Sequence, residues 1–289
     1  MDAVIDAYLA MNKPEKALER VRREMKGNPE RPDLMAEVSR IYASTGKTAE
    51  ALDNARQIIK KQPGAAIGYV TLAMVYQNCK DVDKGIDVLK SAPKMQDVNL
   101  PMKLGNLYAT KKNLASALEQ YRKAEILRPG YVPAIYQQGA LFHAMGKKKE
   151  AIVEYQRVIQ LFPKHVPALN NLAYLYAEDR GSLSAAFQCA VQAYVLAPRD
   201  GSVQDTLGYV LLKNGKVEEG LKMLEQAAAA VHDNPSVYYH LAMAYNEHKE
   251  KDAAVKYLQK ALGLGDFPEH RQATVLLSQL NGGTASRAQ

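Results

Sequence analysis

The sequence predicts an all-α fold of stacked helix pairs, because several residue columns recur with one period. A small residue near the start of each second helix is spaced by 32 to 35 residues, most often by 34. This column is Ala17, Ala51, Gly85, Ala117, Ala151, Ala186, Gly220 and Ala254. A unit of this size cannot bury its own apolar face, so successive units must stack.

Three further columns share this period. The first helices carry a large residue that fills the space between one pair and the next: Tyr8, Tyr42, Tyr76, Tyr108, Phe142, Tyr176, Leu211 and Tyr245. Three residues before it lies a small residue that lets the two helices of a pair approach closely: Gly105, Gly139, Ala173, Gly208 and Ala242. A proline, which cannot continue a helix, closes most units: Pro29, Pro63, Pro129, Pro163 and Pro198.

The first half of the chain contains four predicted pairs, each turning at a polar or glycine corner. The first turns at Asn12-Lys13-Pro14, with Pro14 well placed to begin a helix, and the second turns at Gly46. The third is the least regular, because Gly85 replaces the usual alanine and its end is two residues short. The predicted helices are 1–12 and 14–26, 32–45 and 48–61, 66–78 and 82–93, and 98–110 and 114–127.

The second half continues the pattern and adds one helix. Its predicted pairs are 132–145 and 148–161, 166–178 and 183–196, 201–214 and 217–231, and 235–247 and 251–263. Their corners include Gly146, the one-residue-longer segment 178–181, and Asn214-Gly215. A last helix, 268–280, has an apolar face of Ala273, Leu276, Leu277 and Leu280, as a terminal cap requires. Residues 281–289 are small and polar, and we expect a disordered tail.

This pattern resembles the tetratricopeptide repeat (TPR), a helix-turn-helix unit of 34 residues. The resemblance covers residues 1 to about 264 and implies a right-handed superhelical solenoid of about eight repeats with a C-terminal capping helix. The family's tryptophan position holds Ile135 and Leu169 in two of the repeats. The implied repeats are 1–29, 32–63, 66–97, 98–129, 132–163, 166–198, 201–232 and 235–264.

Composition and charge agree with a solenoid and exclude several other classes. The chain has 289 residues, of which 47% are apolar and 24% charged. No apolar run reaches the roughly 18 residues of a membrane span, and no signal peptide precedes the first repeat. The net charge of +7 lies mainly in the first 130 residues, with 22 Lys and Arg against 16 Asp and Glu. Attraction to an acidic partner would explain this excess, but we favour a solvated outer face.

The resemblance also indicates where a partner binds, because TPR proteins usually bind on the concave face lined by first helices. Tyrosine offers a large contact area with a hydroxyl at its tip, and asparagine pairs with extended backbone. The alternative is that these side chains only form the polar face and core of amphipathic helices. The candidate partner-binding residues are Asn106, Tyr136, His143, Asn170, Asn171, Tyr174, Asp205, Tyr209, Tyr239, His240 and Asn246.

The motifs of enzymes, cofactors and metals are missing from the sequence. There is no glycine-rich phosphate loop, no HExxH and no CxxC. The six histidines are scattered, and His240 and His248 are two helical turns apart, too far for one metal. We therefore predict a non-enzymatic protein without a cofactor or metal that binds a protein or peptide. RNA recognition by a pentatricopeptide-like array is a weaker alternative, because the dominant period is 34 and the inner face lacks a basic stripe.

Three segments, 170–178, 197–227 and 234–247, resemble the C-terminal repeats of bacterial envelope TPR lipoproteins. Such lipoproteins occur with exopolysaccharide export and the PEP-CTERM sorting system, so the resemblance implies a scaffold of the periplasm or cell envelope. Met1 falls inside the first predicted helix, which suggests a piece of a longer precursor that carries a lipid anchor. A cytoplasmic location and a homo-oligomeric assembly module are the alternatives.

Overall fold

The computed structural model describes residues 2–179 and 182–285, which contain 17 helices and no strand. The helices are α1 (Asp2–Ala10), α2 (Pro14–Met25), α3 (Pro32–Ser44), α4 (Thr48–Lys61), α5 (Ala66–Asn78), α6 (Val82–Ser91), α7 (Asn99–Thr110), α8 (Leu114–Leu127), α9 (Val132–Ala144), α10 (Lys148–Leu161), α11 (Val166–Ala177), α12 (Leu183–Leu196), α13 (Gly201–Lys213), α14 (Val217–Ala230), α15 (Pro235–Glu247), α16 (Lys251–Gly263) and α17 (His270–Ala285). They fall into two compact units, residues 1–147 with α1–α9 and residues 148–289 with α10–α17.

The first unit is a stack of helix pairs. The helix α3 packs against its own partner α4 and also against α5, and α5 in turn packs against α6 and α7. Ile5, Leu34 and Ile41 are fully buried between the first two pairs. Each pair therefore contributes one side of a core that the next pair completes, as the repeat pattern predicts.

The second unit repeats this arrangement. The first helices α11, α13 and α15 lie side by side, and each packs against its own second helix, α12, α14 or α16. The last helix, α17, packs against α16 through the cluster that includes Leu258, Ala261 and Ala273. The predicted all-α TPR fold and its final capping helix are both present.

The small-residue columns bring the two helices of a pair into close contact. A Cβ atom added to Gly220 in α14 would lie 2.9 Å from the carbonyl oxygen of Gly208 in α13. A Cβ added to Gly208 would lie 2.6 Å from Leu224 Cγ. Real Cβ atoms do not approach other heavy atoms this closely, so the pair α13–α14 packs at this distance only because both positions are glycine.

The corners between paired helices share one backbone conformation. Seven described corners place a residue with φ between +53° and +76° at the same point: Asn12, Gly46, Lys80, Lys112, Gly146, Gly215 and Lys249. The next residue donates its N–H to the carbonyl of the aromatic column, as Asn113 does to Tyr108 at 2.9 Å. This bond is the long-range hydrogen bond of a Schellman helix end. Residues 180 and 181 of the sixth corner lie outside the described residues.

Replacing Lys112 with glycine is expected to raise the free energy of unfolding by about 0.5–1 kcal/mol. A side chain in the left-handed region costs about 1–2 kcal/mol, part of which the greater freedom of glycine in the unfolded chain offsets. Lys112 is exposed, so little packing is lost. Urea unfolding of Lys112→Gly measures the gain, and Lys112→Ala, which keeps the Cβ, is the control. A variant less stable than the wild type would contradict this account of the corners.

The predicted helix boundaries agree with the structure to within two residues except at the C-terminal end. There α17 continues to Ala285, so residues 281–285 are helical where a disordered tail is predicted, and residues 286–289 lie outside the described residues. Leu276, Leu277 and Leu280 anchor this helix against the core of the last repeat. Extending an anchored helix adds one hydrogen bond per residue without a new nucleation step.

Candidate partner-binding face

The second unit presents a surface that we call the inner face, formed by the sides of α11, α13 and α15 that point away from α12, α14 and α16. The small residues Ala173, Gly208 and Ala242 lie on the opposite sides, against the second helices. Residues at neighbouring positions on these three helices therefore share the inner face.

An aromatic stack crosses the inner face from α11 to α15. The rings of Tyr174 and Tyr209 have centroids 5.7 Å apart, and those of Tyr209 and His240 are 4.4 Å apart, both at 27° between planes. Tyr174 and Tyr209 occupy equivalent positions in successive repeats, 35 residues apart. Sequence reasoning selected all three residues, and the structure brings them together.

Carboxylates hold the polar atoms of this stack. His240 Nδ1 lies 3.0 and 3.1 Å from the two carboxylate oxygens of Asp205, and both side chains are buried. The hydroxyl of Tyr209 donates a hydrogen bond to Glu178, which also forms an ion pair with Lys148 at 3.5 Å. These contacts fix the rings in one arrangement.

The environment shifts the ionisation of each of these groups. Burial raises the pKa of both Tyr174 and Tyr209, and the nearby carboxylates raise it further. Burial disfavours the charged form of His240, but the Asp205 carboxylate more than offsets this and raises the pKa of the imidazole. For Glu178, burial is likewise outweighed, here by the Tyr209 hydroxyl and two lysines, so its pKa is lowered.

The raised pKa of His240 predicts a pH dependence of stability. The native state holds the proton more tightly than the unfolded chain, so this contribution is complete below the unfolded value near pH 6.5 and is lost as the pH rises through the folded value. The free energy of unfolding should fall by up to about 1.4 kcal/mol per pH unit in that window. Urea titrations at several pH values compare the slope of His240→Asn, which should be flatter, with that of the exposed control His232→Gln, which should match the wild type. Equal slopes for all three proteins would refute the assignment.

A segment from outside the repeats also reaches the inner face. Residues 264–269, which we call the linker, join α16 to α17. One carboxylate oxygen of Glu269 accepts a hydrogen bond from Tyr174 Oη and the other from Ser236 Oγ, each at 2.8 Å. Phe267 is buried with its ring centroid 6.3 Å from that of Tyr239. The linker therefore covers part of the predicted binding surface.

Beside the linker, an open groove of about 530 Å³ separates α15 from α17. Tyr239 and Asn246, both predicted site residues, line it together with Met243. Val275 of α17 also lines the groove and is 49% exposed. Glu247 and Arg271 add one charge of each sign. The groove combines an apolar floor with polar groups, which is typical of a site for a peptide or protein segment.

The predicted site residues of the second unit divide into buried and accessible ones. Four of them are buried: Asp205, Tyr209, Tyr239 and His240. The first, second and fourth are occupied by contacts within the chain, so the expectation that these side chains face a partner directly is corrected. Asn170, Asn171, Tyr174 and Asn246 are half-buried. Within the described residues, Asn170 Oδ1 is a buried acceptor without a hydrogen-bond partner.

Three predicted residues lie in the first unit and are described separately. Asn106 of α7 is exposed, and its Oδ1 accepts a hydrogen bond from Tyr121 Oη at 2.7 Å. Tyr136 and His143 of α9 are half-buried. Tyr121 is itself almost fully buried, so Asn106 stabilises the packing of α7 against α8 in addition to facing solvent.

Sequence reasoning missed four residues of this surface: Glu178, Ser236, Phe267 and Glu269. Glu178 follows the last turn of α11, where the sequence suggested only a corner. Pro268 and Glu269 read as an ordinary helix start, because acidic residues favour the first turn. The linker lies outside every repeat column, so periodicity gave no signal for it.

Two searches of the described residues gave negative results. No helix there combines the length and hydropathy needed to cross a bilayer. Within the same residues, no cluster of three or more His, Cys, Asp or Glu side chains is arranged to hold a metal ion.

Known proteins similar to this chain are other helical-repeat proteins. At 27% identity, a match to the human O-mannosyl-transferase TMTC1 covers 58% of this chain and 20% of that protein. The human superkiller complex protein 3 is 33% identical over 29% of the chain and 5% of its own length. The chain thus spans a fifth or less of the length of these curated relatives.

Solved structures show the same fold. The Cut9–Hcn1 structure matches 92% of this chain and 52% of its own with a TM-score of 0.71 at 16% identity. A tetratricopeptide repeat protein from Parabacteroides merdae matches 86% of this chain and 98% of its own with a TM-score of 0.62 at 18% identity. Models of the tetratricopeptide repeat match residues 5–66, 133–165 and 206–269, which together make up more than half of the chain. The chain therefore belongs to the tetratricopeptide repeat family.

Proposed function

We propose that the protein is a non-enzymatic scaffold that binds a protein partner at the groove between α15 and α17, on the inner face of the second unit. The observation that carries this proposal is the groove itself, with Val275 49% exposed beside Tyr239 and Asn246. An apolar side chain left exposed in a concave site loses contact with water when a partner covers it. The unpartnered Asn170 Oδ1 on the same face offers an acceptor for a partner's N–H group.

Charge favours a protein over a polyanion as the ligand of this face. Glu178, Asp205 and Glu269 lie on it, and Glu247 lines the groove. A nucleic acid carries a dense row of phosphates and binds through Lys and Arg contacts, so these carboxylates would repel it. A peptide can instead place its N–H groups and apolar side chains in the groove.

A charge placed in the groove tests this function. Val275→Asp should reduce recovery of the co-purifying partner from source-cell lysate by about tenfold or more, because burying an uncompensated carboxylate opposes binding. The matched control is Val153→Asp on α10, a valine of nearly equal exposure, 52%, that does not line the groove. The recovered partner is then purified and rebound to both variants. Equal rebinding to the two variants would remove the groove from consideration.

We also propose that this scaffold serves a bacterial export or assembly system of the cell envelope, such as exopolysaccharide export. The support is the resemblance of residues 170–178, 197–227 and 234–247 to the repeats of envelope lipoproteins. Fractionation of source cells, with protease added to spheroplasts, tests the location. A protein found in the periplasmic or membrane fraction and cleaved by external protease would support it, and a protein protected in the cytoplasm would contradict it.

A further inference from the structure

We infer that the linker, residues 264–269, is an internal ligand of the inner face, and that the partner binds by presenting an aromatic ring and a carboxylate in its place. The inference rests on the proposed function, since it specifies the partner chemistry that the same face accepts. It follows from two side chains of the linker, Glu269 and Phe267, which both seat on that face.

The carboxylate seat is formed by two helices that are distant in sequence. Tyr174 of α11 is 95 residues from Glu269, and Ser236 of α15 is 33 residues away, yet each donates a hydroxyl to one of its oxygens at 2.8 Å. Two converging hydroxyl donors suit the two oxygens of a carboxylate. An Asp, Glu or C-terminal carboxylate of a partner would accept the same pair of hydrogen bonds.

The aromatic seat adjoins the open groove. Phe267 is 9% exposed and lies against Tyr239, which also lines the groove between α15 and α17. Pro268 restricts Phe267 to an extended backbone and so helps to keep the ring and the Glu269 carboxylate at a fixed spacing of two residues. A partner that enters the groove meets the ring that Phe267 covers, so linker and partner compete for Tyr239.

The linker is held in a way that permits its release. Among the described residues, no lysine, arginine or histidine forms an ion pair with Glu269, whose hydrogen-bonding partners are neutral hydroxyls. The carboxylates of Glu178 and Asp205 lie close enough to raise the pKa of Tyr174 together with Glu269. Because like charges repel, these two carboxylates oppose the seating of Glu269. The tether nevertheless gives the linker an effective concentration of about millimolar, so a free ligand must outcompete it.

The test uses a fluorescein-labelled synthetic peptide of the linker sequence, LGDFPEH, titrated with the full chain by fluorescence anisotropy. The double variant Phe267→Ala/Glu269→Ala should bind the peptide about tenfold or more tightly than the wild type, whose own linker competes. The matched control is Asp266→Ala in the same linker, where the side chain is 98% exposed, and it should behave as the wild type. The peptide LGDAPAH should bind to none of the proteins.

Further variants keep the test decisive if the double variant is unstable. Glu269→Gln keeps the side-chain shape but loses the charge, and it should give an affinity between those of the wild type and the double variant. Adding Tyr174→Phe and Ser236→Ala to the double variant should abolish its gain, because the two hydroxyl donors are then missing. Equal peptide affinity of the wild type, the double variant and Glu269→Gln, or no binding by any variant with a wild-type thermal transition, would overturn the inference.

This outcome is separable from that of the proposed function. If Val275→Asp loses the partner while the peptide fails to bind the vacated face, the groove binds a partner but the linker is not its mimic. If the peptide binds as expected while Val275→Asp keeps the partner, the linker is a ligand of the face but the natural partner docks elsewhere.

Discussion

Replacing Asp205 with alanine is expected to lower the free energy of unfolding of the second unit by about 3 kcal/mol. Asp205 and His240 form a buried pair in which the side chains are 12% and 3% exposed. Removing one member of such a pair typically costs about 3–5 kcal/mol, because the other is left without compensation. The lower end applies here, since the imidazole can lose its proton and then leaves only an unsatisfied N–H group.

Urea unfolding followed by tyrosine fluorescence measures this loss, because the chain contains 17 tyrosines and no tryptophan. The matched control is Asp233→Ala, an exposed aspartate between α14 and α15, which should change stability by no more than about 0.5 kcal/mol. If the two alanine variants were equally stable, the buried pair would not be what holds α13 against α15.

Replacing Gly220 with valine is expected to destabilise the pair α13–α14 by about 3 kcal/mol. A Cβ at this position would lie 2.9 Å from the Gly208 carbonyl oxygen and 3.1 Å from the Leu212 amide nitrogen. Both contacts are with backbone atoms, which cannot move aside as a side chain can. Overpacking of this kind usually costs about 1–3 kcal/mol, and the two methyl groups of valine place this variant at the upper end.

The matched control for this substitution is another helical glycine of the same unit. A Cβ added to Gly263 in α16 would meet no heavy atom within 4 Å, so Gly263→Val should change stability by less than about 1 kcal/mol. Thermal and urea unfolding of both variants give the comparison. A stable Gly220→Val protein would show that α13 and α14 can separate without loss, against the reading of the small-residue columns.

The sequence was sufficient for the fold because the constraints are local and repeated. The Gly46, Gly146 and Gly215 corners, the aromatic column and the small residues each act within one pair or between neighbours. Periodicity therefore reports them directly. The equivalent corner positions at Lys80 and Lys112 escaped notice because lysine gives no signal of a positive φ, although the 34-residue register places them there.

The candidate site was only partly predictable for a physical reason. Periodicity places Asp205, Tyr209 and His240 on one face, but it does not say whether inward side chains bind a partner or one another. Here they bind one another, because a charge and polar groups on adjacent helices that exclude water satisfy each other first. The position of Glu269 depends on the path of a linker that has no register with the repeats. The accessible surface is therefore smaller than predicted and lies toward α17.

The most direct test of the central claim, that the inner face of the second unit takes a protein partner, is site-specific photo-crosslinking in source cells. A benzophenone amino acid is placed at Val275 in the groove or at Val153 on the outer surface of α10. Our account predicts that Val275 forms a single dominant cross-link to the co-purifying partner and that Val153 forms none. A cross-link to that partner from Val153, with none from Val275, would contradict it.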